Sequence, residues 1–332
     1  MKYKKVIQHS IHSSMQTSNS THKELYVLID KRVFHLHDTI NFNLYCYNNS
    51  TDIKLLLARK SSLNEQLFET LHQTQKVYIQ KKDQKRYDSF TKNHLLDIVE
   101  DSSLSVDDKT QIVYETTTKM TTSIFKNPTA IENVQTAKEI VNPIIISVLH
   151  SEDTIASYIK IINYDYYTST HSLNVSIYAL CLGVKLGLDE GTLKDLGRAA
   201  LLHDLGKSQI RHNIVNKHDL LTKEEYKDML MHPVFGHQTA LKIGIKNKNI
   251  LDGIRHHHER LDGQGYPDKL HDIDITLFPR IIAVCDVFDA LTTQRSYKNA
   301  ISSYDALHMM KSHMSKHLDM KILDSLISIL HK

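Results

Sequence analysis

The sequence predicts a mainly α-helical protein with a small α+β domain at its N-terminal end. Three observations carry that expectation. Gly and Pro are scarce, at 10 and 5 of 332 residues, while Leu, Ile, Lys and Glu are plentiful. The β-rich runs stop before residue 80. Beyond residue 105 apolar residues recur at helical spacing almost without interruption.

The elements follow in order. The polar stretch 1–22 suits a loosely ordered start. Leu25-Tyr26-Val27-Leu28-Ile29 and Phe42-Asn43-Leu44-Tyr45-Cys46-Tyr47 read as strands, and Asn48-Asn49-Ser50-Thr51 supplies turn chemistry. A short helix around Leu63–Thr74 and a strand at Val77-Tyr78-Ile79 complete an α+β domain over 1–102. This domain carries no Gly-rich phosphate loop, phosphoacceptor pattern or metal-ligand spacing, so its expected role is regulatory or dimerising. The second domain, 103–332, opens with Ser105 as N-cap and Asp107 and Asp108 in the first helical turn. Helical patterns run through 106–126 and 131–162, with Pro143 expected to kink or divide the second. From about 163 the pattern is almost purely helical, interrupted chiefly by Asp262-Gly263-Gln264-Gly265-Tyr266-Pro267-Asp268.

The totals exclude several classes. A 41% hydrophobic, 24% charged composition is that of a soluble globular chain, long enough for two domains. A net charge of +3 is too small to point to a nucleic-acid polymer or a membrane surface. Cys46, Cys181 and Cys285 lie far apart, two of them in apolar runs, which suits reduced thiols and a cytoplasmic location. The basic start, Met1-Lys2-Tyr3-Lys4-Lys5, is followed by polar residues, and no segment approaches the ~20 apolar residues of a membrane span. Twenty-two histidines are the compositional outlier.

Those histidines fall into a pattern. The apolar run Ala199-Ala200-Leu201-Leu202 delivers His203-Asp204 and then, past Leu205 and Gly206, Lys207. His171 opens the helical segment Ser172-Leu173-Asn174-Val175-Ser176-Ile177, and His232 precedes Pro233 at an expected helix start. His256-His257-His258-Glu259 ends another helix, and Asp286 follows the buried-type run Ile281-Ile282-Ala283-Val284-Cys285. Any one of these alone fits a capping or core role. Together, five segments presenting imidazoles and carboxylates inward are how helical bundles build metal centres. Such donors suit iron, manganese or zinc, and the absence of nearby cysteines argues against a structural zinc site. His237, His271, His313 and His317 read as solvated side chains.

From about residue 163 to 330 the chain resembles the HD-GYP family of metal-dependent phosphodiesterases. The motifs are His171-Ser172-Leu173-Asn174-Val175, His203-Asp204-Leu205-Gly206-Lys207, His232-Pro233 and His257-His258-Glu259-Arg260. Asp262-Gly263-Gln264-Gly265-Tyr266-Pro267 and Asp286-Val287-Phe288-Asp289-Ala290-Leu291-Thr292 complete the set, in the family's order. The resemblance implies an all-helical HD-type bundle that hydrolyses cyclic di-GMP to linear pGpG, or on to GMP, at a two- or three-metal centre. Carried over residue by residue, it makes His171, His203, Asp204, His232, His257, His258 and Asp286 metal ligands, with Asp204 bridging. Three consecutive histidines leave the register ambiguous, and the spacing to the glycine loop favours His257 and His258 over His256.

A bridging carboxylate holding two cations ~3.5–4 Å apart would generate a shared hydroxide near neutral pH. Asp204 and Lys207 are the expected catalytic pair, with Lys207 reaching the same phosphate; its plain alternative is a helix-end lysine. The resemblance also assigns Arg295 and Lys298 to the ligand's phosphates or guanine, with Ser296 where the family usually has proline. Gly263 and Gly265 permit close backbone geometry. Gly265 and Tyr266 are expected at the substrate, or at a partner such as a diguanylate cyclase.

Two departures bear on the outcome. Tyr167 stands where three-metal members carry glutamate, which implies two divalent ions, iron first and manganese second, and a stop at pGpG. Leu261 replaces a usual tryptophan. Two alternatives stand beside hydrolysis of cyclic di-GMP. One is a catalytically weak cyclic-dinucleotide receptor or protein-interaction module; the other is a phosphodiesterase for another cyclic dinucleotide. A homodimer through the helices before residue 163 stays open, because no sustained heptads occur there.

Overall fold

The computed structural model describes residues 25–47, 52–162, 168–217, 219–293 and 300–330. The chain divides into two compact units, Met1–Leu104 and Ser105–Lys332. The turn expected at 48–51, Tyr167, Arg295 and Lys298 all lie outside the described residues.

In the first unit, β1 (Tyr26–Ile29), β2 (Leu44–Tyr47), β3 (Ile53–Leu57) and β4 (Val77–Gln80) form one antiparallel sheet in the order β1-β4-β2-β3. The pairing aligns Tyr26 with Gln80 and Leu28 with Tyr78. β2 and β4 alternate buried and half-buried residues, the period of a sheet with one covered face. Asn64 caps α1 (Glu65–Gln73) by accepting from Leu67 N. Helices α2 (Gln84–Asn93) and α3 (Leu95–Glu100) follow. Phe34, Phe42, Tyr87 and Phe90 pack ring against ring at 5.2–6.4 Å between centroids, and buried Tyr87 donates its hydroxyl to Asp30 O.

The second unit is helical. Its elements are α4 (Val106–Lys126), α5 (Asn133–His150), α6 (Glu152–Ile161), α7 (Thr168–Lys185), α8 (Glu190–Leu202), α9 (His212–Val215), α10 (Lys223–Met229) and α11 (His232–Lys242). α12 (Lys248–His256), α13 (Leu277–Thr292), α14 (Ser303–His313) and α15 (Met320–Leu330) complete it. Ser105 caps α4 through a bond from Asp108 N, as its sequence position predicts. α4 is rich in threonine, a weak helix former. Thr117 and Thr121 nevertheless bury their hydroxyls by donating to carbonyls four residues back.

Of the kink or division expected at Pro143, the division falls elsewhere. Pro143 sits inside α5, and the chain divides at Ser151, whose backbone is extended (φ −158°, ψ 138°) and whose hydroxyl accepts from Asp153 N. A proline forfeits one backbone donor, whereas an extended, capping serine ends one helix and starts the next. α7 is buried nearly all round, from Leu173 to Leu182, and packs on α4, α8 and α13. It forms the axis from which the site is built. Among the described residues no helix is long and apolar enough to cross a membrane.

Candidate metal centre

Each expected ligand sits where a helix starts, ends or crosses α7. His171 is the fourth residue of α7 instead of its first. His203 is the C-cap of α8, and the chain continues through Asp204 into a 3₁₀ turn, Leu205–Gln209, that carries Lys207. Ala199, Ala200, Leu201 and Leu202 are fully buried and anchor this corner; truncating Leu201 to Ala would cost about 2–5 kcal/mol. Met231, not His232, caps α11, so His232 is the first helical residue and Pro233 the second. A Cβ on Gly206 would strike the carbonyl oxygen of His232, so only glycine lets the 3₁₀ turn cross α11 this closely. His257 is the C-cap of α12, His258 follows it, and Asp286 lies on α13.

These seven residues converge. His171 Nε2 lies 3.0 Å from Asp286 Oδ1, and His203 Nε2 lies 3.4 Å from Asp204 Oδ2. His232 Nε2 lies 3.3 Å from Asp204 Oδ1 and 3.2 Å from His257 Nε2. Three sets of donor atoms fall within 4.8 Å of one another: His171/His203/Asp286, His203/Asp204/His257 and His232/His257/His258. Asp204 therefore stands between two histidine groups, one carboxylate oxygen toward each.

The protonation pattern is that of a cation site. His203, His232 and His257 each donate Nδ1–H to a backbone carbonyl three residues back, at 2.7–2.9 Å, which leaves Nε2 as an acceptor. Burial pushes His232 down to about 3 and His258 down to about 4, against the opposing pull of Asp204 on both and of Asp286 on His258. Burial, with neighbouring His258, His203 and His232, holds His257 well below the ordinary imidazole range. Two neutral imidazoles thus aim lone pairs at each other across 3.2 Å. That spacing is what two nitrogens about 2.1 Å from a shared cation adopt near a right angle. Among the described residues, buried His203 Nε2 and Asp204 Oδ1 also lack a hydrogen-bond partner, so a divalent ion fits the residues present. Burial works to raise Asp204, but Lys207, His203 and His232 outweigh it and hold the carboxyl well below its usual range. Burial likewise works to raise Asp286, but His171, His258 and His203 outweigh it and hold that carboxyl well below its usual range.

Lys207 Nζ lies 2.6 Å from Asp204 Oδ2, with 18% of the side chain exposed. It is an ion-paired residue of the cluster and not a solvated helix end. Tyr266 stacks on His258 at 4.7 Å between centroids and 26° between planes, facing the cluster. A Cβ on Gly265 would run into the backbone of Glu259 and Arg260, so the loop folds back onto the histidines only with glycine there. His256 takes no place among the donors: Nδ1 lies 2.5 Å from Asp252 and Nε2 2.8 Å from Asp268. His237 is half-buried, and burial lowers its pKa, which corrects the expectation of a solvated side chain; His317 is half-buried beside Asp262. His271 and His313 are exposed.

Two functional residues escaped the reading from sequence. Fully buried Asp289 accepts from His171 Nδ1 at 2.7 Å and fixes that ring's orientation. Its position three residues after Asp286, on the same helix face, was the available signal. Buried Glu259 accepts from the backbone N–H groups of Asp268, Lys269 and Leu270 at 2.6–3.0 Å and holds the glycine loop closed. No local periodicity marks it.

The sequence profile of the HD domain matches residues 152–322. The chain belongs to the HD-domain family. All seven converging residues, and the HD-GYP motifs that contain them, lie inside that HD-domain span. The chain is 34% identical over 191 residues to the cyclic di-GMP phosphodiesterase PA4108 of Pseudomonas aeruginosa, covering 58% of this chain and 46% of that protein. It is 37% identical over 163 residues to the cyclic di-GMP phosphodiesterase response regulator RpfG of Xanthomonas campestris, covering 48% and 43%. It is 34% identical over 154 residues to the 3'3'-cGAMP-specific phosphodiesterase 3 of Vibrio cholerae, covering 46% and 33%. The chain thus spans less than half the length of these relatives. Among solved structures, the HDG"Y"P protein Bd1817 of Bdellovibrio bacteriovorus shares the fold, with a TM-score of 0.67 at 20% identity, over 92% of this chain and all of that one.

Proposed function

We propose that this chain is a metal-dependent phosphodiesterase that opens cyclic di-GMP to linear pGpG at a two-metal centre. The observation that carries the proposal is the placement of Asp204 between two histidine groups, with Oδ1 toward His232 and Oδ2 toward His203. His171, His203 and Asp286 would hold one cation, and His232, His257 and His258 the other, with Asp204 shared. When bound, the two cations supply charge for the phosphate oxygens and acidity for the attacking water. Iron suits this donor set, and manganese is the second choice.

The chain's own residues do the rest. The depressed imidazoles stay neutral at working pH and keep their lone pairs on the site. Lys207 places a cation beside the carboxylate, where charge develops during phosphoryl transfer. Tyr266 covers His258 and, with Gly265, forms a wall for the dinucleotide. Arg295 and Lys298 are assigned to its phosphates on sequence alone. The buried, unbridged thiols of Cys46, Cys181 and Cys285 suit action in the reducing cytoplasm.

The similarity to a 3'3'-cGAMP-specific phosphodiesterase favours one second reading, hydrolysis of that hybrid dinucleotide. The test is product analysis after incubating anaerobically iron-loaded or manganese-loaded protein with each cyclic dinucleotide, reading metal content on the same sample. Conversion of cyclic di-GMP to pGpG is the expected result. Preferential turnover of 3'3'-cGAMP would reassign the substrate. Binding without turnover would make the chain a receptor.

A further inference from the structure

Among the described residues outside the HD-domain span, a tyrosine side chain reaches the ligand shell. Tyr114 lies on α4, the first helix of the second unit, well before residue 152. Its hydroxyl donates to Asn174 Oδ1 at 2.9 Å. Asn174, 1% exposed on α7, donates Nδ2–H to Asp289 Oδ1 at 3.0 Å. Asp289, fully buried on α13, accepts from His171 Nδ1 at 2.7 Å through its other oxygen. Thr293 Oγ1 supplies a further donor to Asp289 Oδ1 at 3.2 Å. Four side chains from three helices thus form one directed chain that ends on a candidate ligand.

The direction of each link is set by chemistry. A phenol buried beside Asp289 resists ionisation, because burial first and the carboxylate second raise its pKa, so Tyr114 acts as a donor. The acceptor-only carboxylate of Asp289 and the Tyr114 donor both require the Asn174 amide with its NH₂ toward Asp289 and Oδ1 toward the phenol. The carboxylate then holds the His171 proton on Nδ1, and Nε2 faces Asp286 at 3.0 Å and Asp204 at 3.6 Å. Without the hydroxyl, buried Asn174 Oδ1 loses its donor and the amide loses its tie to α4, which slackens its hold on Asp289 Oδ1.

We infer that Tyr114 is a positioning residue of the metal centre, bracing the ring plane of His171 through Asn174 and Asp289. The inference rests on the metal-centre reading given above. It makes the helix ahead of the HD-domain span part of the metal-binding apparatus.

The test is the Mn(II) affinity of the full chain, measured by equilibrium dialysis against buffered free Mn(II), with melting of the metal-free proteins in parallel. Removing an outer partner of a ligating histidine lowers metal affinity about 10–100-fold, which is the expectation for Asp289→Asn. Tyr114→Phe, two links further out, should lower the affinity of one site about 3–10-fold and leave the other unchanged. Asn174→Leu should cost at least as much as Tyr114→Phe. Because Tyr114 acts through Asp289, the double variant Tyr114→Phe/Asp289→Asn should bind as Asp289→Asn does. Thr118→Val, which removes a hydroxyl bonded within α4 to Tyr114 O, should leave both affinities unchanged. Wild-type affinity in Tyr114→Phe, or losses that add in the double variant, would overturn the relay alone. Failure of the wild-type chain to bind Mn(II) would overturn the metal-centre reading and the relay with it.

Discussion

Replacing Asp204 with asparagine preserves its size and removes its charge. Oδ1 faces His232 Nε2 at 3.3 Å, while Oδ2 faces His203 Nε2 at 3.4 Å and His171 Nε2 at 3.6 Å, so the carboxylate serves both halves of the cluster. A charge-assisted contact contributes about 1.5–3 kcal/mol. Losing one on each side therefore costs about 3–6 kcal/mol of metal affinity, a factor of roughly 100 or more at about 1.4 kcal/mol per decade. At a free Mn(II) concentration that just saturates the wild type, metal content should fall from about two ions per chain to one or fewer. Equilibrium dialysis with elemental analysis measures this directly. Melting of the metal-free variant checks the fold, which should survive because Lys207, 18% exposed, can turn its ammonium to water. Two ions bound with wild-type affinity would refute the shared role of Asp204.

Lys207→Ala should keep both metals and lower turnover of cyclic di-GMP about 100-fold, the loss typical of one transition-state donor; unchanged turnover would remove Lys207 from the chemistry. Glu259→Gln should destabilise the chain by about 2–4 kcal/mol by weakening three bonds to the 268–270 backbone while leaving metal content intact. Hydrogen exchange at those amides reads the change, and unaltered protection there would count against the loop-holding role. The metal-free protein should lose stability in mild acid. His232 and His258 titrate near 3 and 4 when folded and near 6.5 when unfolded, so below pH 6.5 the unfolded chain takes up protons the fold refuses. At pH 5 each would cost on the order of 2 kcal/mol. A urea midpoint that held steady or rose between pH 7 and pH 5 would contradict neutral imidazoles at these positions.

Much of this protein was legible from local pattern. Gly and Pro scarcity, 3.6-residue periodicity and the Ser105 cap specify helices one segment at a time, because helical bonds and caps join residues only a few positions apart. The same locality put imidazoles and carboxylates at helix ends, in motifs whose resemblance to the HD-GYP family implied a phosphodiesterase. Local pattern left open a kink or a division at Pro143, and the division came eight residues later at a serine cap. The resemblance implied that these motifs share a centre, but only tertiary structure brings them together. His171 and Asp289 are 118 residues apart, and Tyr114 and Asn174 are 60 apart; no helical period links such distances. It also paired His256 with Asp252 and Asp268, and gave Asp204 one group of histidines on each side. The helix-end chemistry is written in short stretches of chain. The centre exists only because α4, α8 and α13 each pack on buried α7, and close packing of that kind depends on the whole bundle.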